Sequence, residues 1–270
     1  AEVVVYDDGS EDRGLAAAIA AAPETRDAAR SGKLVYVRGA ENLGVMGAYE
    51  GVQWVNVDLS TITGDSFSSC GDNGINILNG SDTNTLTSNT ATFNSVYGIY
   101  LEAGSNNAVT SNMTLSNSFS GILLYSASNN TLTTNTSGPN GNHGIYLWSS
   151  SNNTVTANQT GSNVNHGIYL YSNSSDNVLT RNTAISNSQY GIYLSWSSNN
   201  TFALNDVRLN TKYQIYIDGT SLSDTVQKNN IVTSGTNPDS GVFNNTGSAF
   251  DFTRNYWNTT DSLAIRNKIY

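Results

Sequence analysis

Apolar and polar residues alternate in short bursts along most of this chain, and the bursts recur at a nearly fixed interval. GINIL (74–78), GIYLE (98–102), GILLY (121–125), GIYLW (144–148), GIYLY (167–171) and GIYLS (191–195) follow one another at steps of 24, 23, 23, 23 and 24 residues. QIYID (214–218), which has lost the glycine, comes 23 residues later. In GIYLW, Ile145 and Leu147 fall on one face and Tyr146 and Trp148 on the other, the period of a strand. A second apolar point follows each burst, at Leu86, Val109, Leu132, Val155, Leu179, Phe202 and Val226. A repeat too short for a helix pair, recurring this regularly, predicts a solenoid whose coils bury their apolar sides only by stacking on one another.

Three polar columns mark where each coil bends. The first holds Asn84, Asn107, Asn130, Asn153, Asn177, Asn200 and Asp224, and the second holds Asn89, Asn112, Asn135, Asn158, Asn182, Asn205 and Asn229. The third holds Asn94, Asn117, Asn140, Asn163, Asn187 and Asn210, with Cys70 at the equivalent place in the first coil. Asn accepts left-handed backbone geometry and bonds nearby main chain, so it suits bends, and stacked Asn side chains bond from coil to coil. The length varies only between the glycine and the first column, which makes that segment the tolerant loop. The expected fold is all-β: a right-handed parallel β-helix of about 7–9 coils, 23–24 residues each, over 56–270.

The run of GIYL followed by SNNTLTxN resembles the NosD-like family of β-helix repeats over roughly residues 65–260. The ending NYWNTTDSLAIRNKIY (255–270) is similar to the terminal segment of such proteins, from which the native chain is expected to continue beyond Tyr270. The resemblance implies the fold; its residues are architectural and name no activity.

Residues 1–55 have another chemistry, with five of the chain's twelve Lys/Arg and almost no Asn. VVVY (3–6) reads as a buried strand, an Ala-rich helix is expected over about 13–30, KLVYV (33–37) reads as a second strand, and 44–55 begins another helix or strand. This is a short β-α-β fragment preceding the β-helix. The strings VVVYDDGSED and VRGAENLGVMGA resemble the family 2 glycosyltransferases. That resemblance implies that Asp7 or Asp8 would hold the base or ribose of a nucleotide-sugar. No Asp-X-Asp and no downstream carboxylate base follows, so the fragment is incomplete as a transferase.

Charge narrows the function. The net charge is −9, and no Lys or Arg occurs between Arg38 and Arg181, which argues against nucleic acid as a partner. No apolar run is long enough to span a membrane. One cysteine, low charge and abundant Ser, Thr, Asn and Gly suit an exported scaffold: extracellular, on the cell surface, or periplasmic.

The outward third and fifth positions of the bursts are aromatic across coils three to six. Tyr125, Trp148 and Tyr171, with Tyr146, Tyr169 and Tyr193, form a strip expected to stack against sugar rings. The expected partner is a polysaccharide or cell-envelope glycan, with no cofactor. The bland alternative is that the rings only strengthen the sheet.

His143 and His166 should stack one coil apart as polar surface residues, and two imidazoles alone do not close a metal site. Asp206, Asp218 and Asp224, near Arg208, Lys212 and Lys228, are the one place where carboxylates gather. A polysaccharide lyase, hydrolase or epimerase would have to work there. The leading expectation is a non-catalytic glycan-binding β-helix. The alternatives are such an enzyme, or a family 2 glycosyltransferase with a β-helix appendage.

Overall fold

The computed structural model describes residues 61–78, 80–233, 241–246, 250 and 252–257, together with the backbone of 52–55. The chain winds as a right-handed parallel β-helix with three sheets. The first sheet has nine parallel strands: Val52–Val55, Ile75–Leu78, Ile99–Glu102, Ile122–Tyr125, Ile145–Trp148, Ile168–Tyr171, Ile192–Ser195, Ile215–Asp218 and Val242–Asn244. The second sheet, from Thr61–Thr63 to Thr225–Gln227, and the third, from Ser66–Ser68 to Asn230–Val232, have eight strands each. The β-α-β segments expected at 3–6, 13–30 and 33–37 lie outside the described residues. The strand Val52–Val55, which falls inside the segment assigned to that fragment, pairs with Ile75–Leu78 as the first rung of the coil, Val52 against Ile75.

Register follows the repeat. Ile145 pairs with Ile168 and Leu147 with Leu170, and all four are fully buried. Each such side chain contributes roughly 1.5–3 kcal/mol on leaving water. Leu132, Val155, Leu179 and Phe202 stack in the same way on the second sheet.

The Asn columns are inside the coil, not at its surface. Asn158 shows the bonding: its Oδ1 accepts from the backbone N–H of Asn135 at 2.9 Å and from Asn135 Nδ2 at 2.9 Å. Its Nδ2 donates to the Leu132 carbonyl at 2.9 Å and to Asn182 Oδ1 at 3.0 Å. The bend itself is made by the residue before the column, as in Ala157 (φ 56), Arg181 (φ 55) and Leu204 (φ 60). The expectation that the column Asn takes the left-handed conformation is therefore corrected: its neighbour turns, and Asn bonds the turn to the next coil. Cys70 is buried at the end of the third column, where its N–H donates to Asn94 Oδ1 at 3.0 Å.

The repeat glycine exists because adjacent coils touch there. A Cβ on Gly144 would stand 2.6 Å from the Gly167 carbonyl oxygen and 2.9 Å from Asn163 Nδ2. Where the glycine is lost, Gln214 is fully buried, and its Oε1 accepts from Asn210 N–H at 3.0 Å and Asn210 Nδ2 at 2.9 Å. It supplies to Asn210 the acceptor that the next Asn supplies elsewhere in the third column.

A fourth polar ladder was not foreseen. Ser150 N–H donates to Ser174 Oγ, Ser174 N–H to Ser197 Oγ, and Ser197 N–H to Ser221 Oγ, each at 3.1 Å. The variable loop absorbs its extra residue beside this ladder. Ser150 Oγ donates back two residues to Trp148 O, whereas Ser174 Oγ reaches back three to Tyr171 O across Ser172 and Asn173, both at positive φ.

Candidate functional site

Aromatic side chains converge on the outer face of the first sheet in three adjacent columns. The middle column comes from the third position of each burst and stacks face to face except between Tyr193 and Tyr216, which meet at 5.2 Å and 78°. Tyr146 and Tyr169 have ring centroids 5.0 Å apart at 6°, Tyr169 and Tyr193 4.5 Å at 4°, and Tyr216 and Phe243 5.0 Å at 10°. Leu123, in register between Tyr100 and Tyr146, is buried in this column. Burial holds the Tyr146, Tyr169 and Tyr193 phenols well above the usual tyrosine range, and pushes Tyr100 up to about 12 with help from Glu102.

The column on one flank precedes the glycines: Tyr97, Ser120, His143, His166, Tyr190 and Tyr213. His143 and His166 stack at 4.8 Å and 12°, and His166 stacks on Tyr190 at 4.8 Å and 3°. Tyr146, Tyr169 and Tyr193 meet these imidazoles edge-on or tilted at about 5 Å. The two histidines are 6% and 9% exposed, which corrects their reading as surface residues: the neighbouring rings cover them. Burial lowers both to about 3, His166 adding to the effect on His143 and Lys212 to the effect on His166. They are neutral at pH 7.

The other flank holds Glu102, Tyr125, Trp148, Tyr171, Ser195 and Asp218 in register. Its rings do not lie face to face. Tyr125 meets Trp148 at 5.2 Å and 76°, and Trp148 meets Tyr171 at 5.9 Å and 59°. Trp148 is 38% exposed. The six rings named from the sequence are thus brought together on one face. In the Tyr146–Tyr169–Tyr193 stack, however, the faces expected to meet sugars are turned against one another. In the Tyr125–Trp148–Tyr171 column Trp148, which also stacks beside Tyr146 at 5.9 Å and 22°, is the most exposed of the six rings. Trp196, 55% exposed, lies beside it over Gly219, where an added Cβ would come within 3.2 Å of the indole.

One polar group at the end of the edge column bonds into the tyrosine stack. Asp218 Oδ2 accepts from the Tyr193 hydroxyl at 2.7 Å, while Asp218 Oδ1 is buried with no partner among the described residues. Asp218 falls one coil beyond Ser195 in the same column, as the repeat spacing places it.

The three acids considered as a catalytic cluster are not brought together. Asp206 is on the third sheet, bound to Arg208 Nε at 3.0 Å and to Asn230 Nδ2 at 2.7 Å. Asp218 ends a strand of the first sheet, and Asp224 is 6% exposed inside the first Asn column. Sequence proximity put them near one another, but the coil distributes consecutive residues over different sheets. Asp7 and Asp8 lie outside the described residues.

With the fold and its outer face described, comparison with known proteins becomes informative. The profile of the family described as periplasmic copper-binding protein (NosD) matches residues 27–262. The chain belongs to the NosD family. The match begins inside the segment that resembles a glycosyltransferase. No curated protein matches the sequence. Among solved structures, the periplasmic alginate epimerase AlgG is similar at a TM-score of 0.52 and 21% identity, over 75% of this chain and 49% of that one. This NosD-family chain therefore spans about half of that epimerase. The A-module of the Azotobacter vinelandii mannuronan C-5 epimerase AlgE4 is similar at a TM-score of 0.50 and 14% identity, over 95% and 93%. Identities this low show the shared fold.

The family's description implies copper, and among the described residues the donors do not fit it. The sequence has two histidines, one cysteine and two methionines, and among the described residues no three His, Cys, Asp or Glu side chains converge. The histidine pair is also committed elsewhere. His143 Nδ1 accepts the backbone N–H of His166, and His166 Nδ1 accepts that of Tyr190, each at 3.4 Å. A neutral imidazole accepting at Nδ1 carries its proton on Nε2, so Nε2 has no lone pair for a metal. Moving the proton would set two donors against each other.

Proposed function

We propose that this chain is a non-catalytic β-helix of the periplasm or cell exterior that binds glycan on the outer face of its first sheet. The observation that carries this reading is the tilted Tyr125–Trp148–Tyr171 column, with Trp148 38% exposed beside the tyrosine stack. Outward aromatic surface on a fixed scaffold is what sugar stacking needs, because it costs little ordering on binding. The middle tyrosines Tyr146, Tyr169 and Tyr193 serve as the platform and present edges. The location follows the family description, and among the described residues no helix is long and apolar enough to cross a membrane.

The enzymatic reading draws on the epimerases that share the fold. It finds less support in this chain's own residues, because Asp206, Asp218 and Asp224 sit on different parts of the coil and general acid–base chemistry needs two groups flanking one bond. The transferase reading of 1–55 rests on the sequence strings around Asp7 and Asp8, and titration of the full chain with UDP-sugars tests it.

A glycan array probed with the full chain tests the main reading. Binding to one class of polysaccharide supports it, and no binding to any immobilised glycan removes it.

A further inference from the structure

On successive coils the residue after the first-sheet strand turns left-handed, and around Trp196 it is otherwise small: Ala103 (φ 57), Ser126 (φ 52), Ser149 (φ 52), Ser172 (φ 54) and Gly219 (φ 69). Trp196 holds the same place at φ 55 and is 55% exposed. A bulky residue is disfavoured in that conformation, and most of this indole is not buried in return. Packing of the coil does not account for a tryptophan here, and a local cost of this kind points to function.

The coils on either side fit the indole. A Cβ on Gly219 would stand 3.2 Å from both Cδ2 and Cε2 of Trp196. Those two atoms form the bond shared by the indole's rings, so Gly219 meets a ring face, and a side chain there would push the indole off. On the preceding coil the extra residue of the variable loop is accommodated across Ser172 and Asn173, both at positive φ. Asn173 N–H donates to the Trp196 carbonyl at 2.7 Å, and the Asn173 carbonyl accepts from Ser151 Oγ at 2.9 Å. Its backbone is thereby held beside Trp196, while its side-chain amide, a donor and an acceptor, is exposed.

Trp148 ends a strand on this same edge, two strands before the one that leads into Trp196, with Tyr171 between. At ~4.8 Å per strand, the two positions are roughly 10 Å apart along the coil axis. A single sugar ring does not bridge them, and an oligosaccharide does.

Resting on the glycan reading above, we propose that the ligand is a pyranose polymer laid along the coil axis, with one sugar stacked on Trp148, another on the open face of Trp196, and the Asn173 amide bonding hydroxyls of the chain between them. Trp196 and Asn173 are thus a second subsite. Two stacking platforms linked by one ligand favour chains over free monosaccharides, because the second contact forms within the same complex.

The test is titration calorimetry of the full chain with a length series, monomer to hexamer, of the glycan bound most tightly on the array. Affinity should rise about tenfold or more between the dimer and the tetramer, once one chain reaches both indoles. Trp196→Ser installs the residue found at Ser126, Ser149 and Ser172. It should bring the tetramer down to about the dimer's affinity, leave the dimer within about twofold, and keep or raise the thermal midpoint. Asn173→Gly, which tolerates the left-handed backbone and removes only the amide, should weaken the tetramer about threefold. Affinity independent of length, or a Trp196→Ser variant that binds the tetramer as tightly as wild type, overturns this inference and leaves glycan binding at Trp148 standing. If no oligomer of any length binds, the glycan reading itself falls, and the second subsite with it.

Discussion

His143 and His166 stack with ring centroids 4.8 Å apart, and the Nδ1 of the first accepts the backbone N–H of the second. Two imidazoles this close can share a site only while neutral, and burial under three tyrosines enforces that state. Both are lowered from 6.5 to about 3 in the folded chain. Between those values the unfolded chain binds protons that the folded chain refuses, so this stability is full above pH 6.5 and is lost as pH falls toward 3. The double variant His143→Tyr, His166→Tyr places in both rungs the residue already present at Tyr97, Tyr190 and Tyr213. Its unfolding free energy, measured from pH 7 to 4.5, should fall by a few kcal/mol less than the wild type's. Parallel curves would show that the pair does not govern acid sensitivity.

Asp224 carries the opposite dependence. It stands in the first Asn column, where its Oδ1 accepts Asn200 N–H at 2.7 Å and its Oδ2, in the place of an amide N–H₂, is buried without a partner among the described residues. Burial raises it from 3.8 to about 7, against the bonds from Asn200. Here the folded chain keeps a proton the unfolded chain has lost, so stability falls as pH rises from 3.8 through 7 and is flat above. Asp224→Asn should be about 1–3 kcal/mol more stable than wild type at pH 8 and nearly equal to it at pH 4. A gap that does not change with pH would contradict this assignment.

Gln214→Gly restores the repeat's own consensus and should nevertheless destabilise the chain. It removes the Oε1 that accepts from Asn210 N–H and Nδ2, leaving the buried N–H without that acceptor, Nδ2 with only the Ala184 and Arg208 carbonyls, and a cavity. The expected loss is about 2 kcal/mol or more, read as a lower denaturant midpoint and faster hydrogen exchange at the Asn210 amide. An unchanged amide would mean that the third column closes without Gln214.

The sequence was most legible where one coil repeats the demands of the next. Ile145, Leu147, Ile168 and Leu170 are buried in register because period-two alternation fixes which face is inside. The three Asn columns were equally readable, since a buried amide satisfies backbone groups on two coils at once. The serine ladder was not, because Ser150, Ser174, Ser197 and Ser221 lie in the variable loop, in a chain where serine is common everywhere.

At the candidate site, the positions of the rings were legible and their attitudes were not. That Tyr146 and Tyr169 share a column follows from counting residues. That their faces are spent on each other, while Trp148 and Tyr171 meet at 59°, depends on side-chain torsions that no spacing encodes. The burial of His143 and His166 was hidden for the same reason: their cover comes from Tyr146, Tyr169 and Tyr193 on the next column. The separation of Asp206, Asp218 and Asp224 was computable from the period but masked by their closeness in sequence.

The most direct test of glycan binding by the first sheet is titration calorimetry of the full chain and of Trp148→Ala with the glycan bound most tightly on the array. Loss of one stacking indole, about 1.5 kcal/mol, should weaken binding tenfold or more. Ile145 and Leu147, inward and fully buried on the same strand, should keep the variant's thermal midpoint unchanged. Equal affinity of Trp148→Ala and wild type would contradict the account and leave the rings as reinforcement of the sheet.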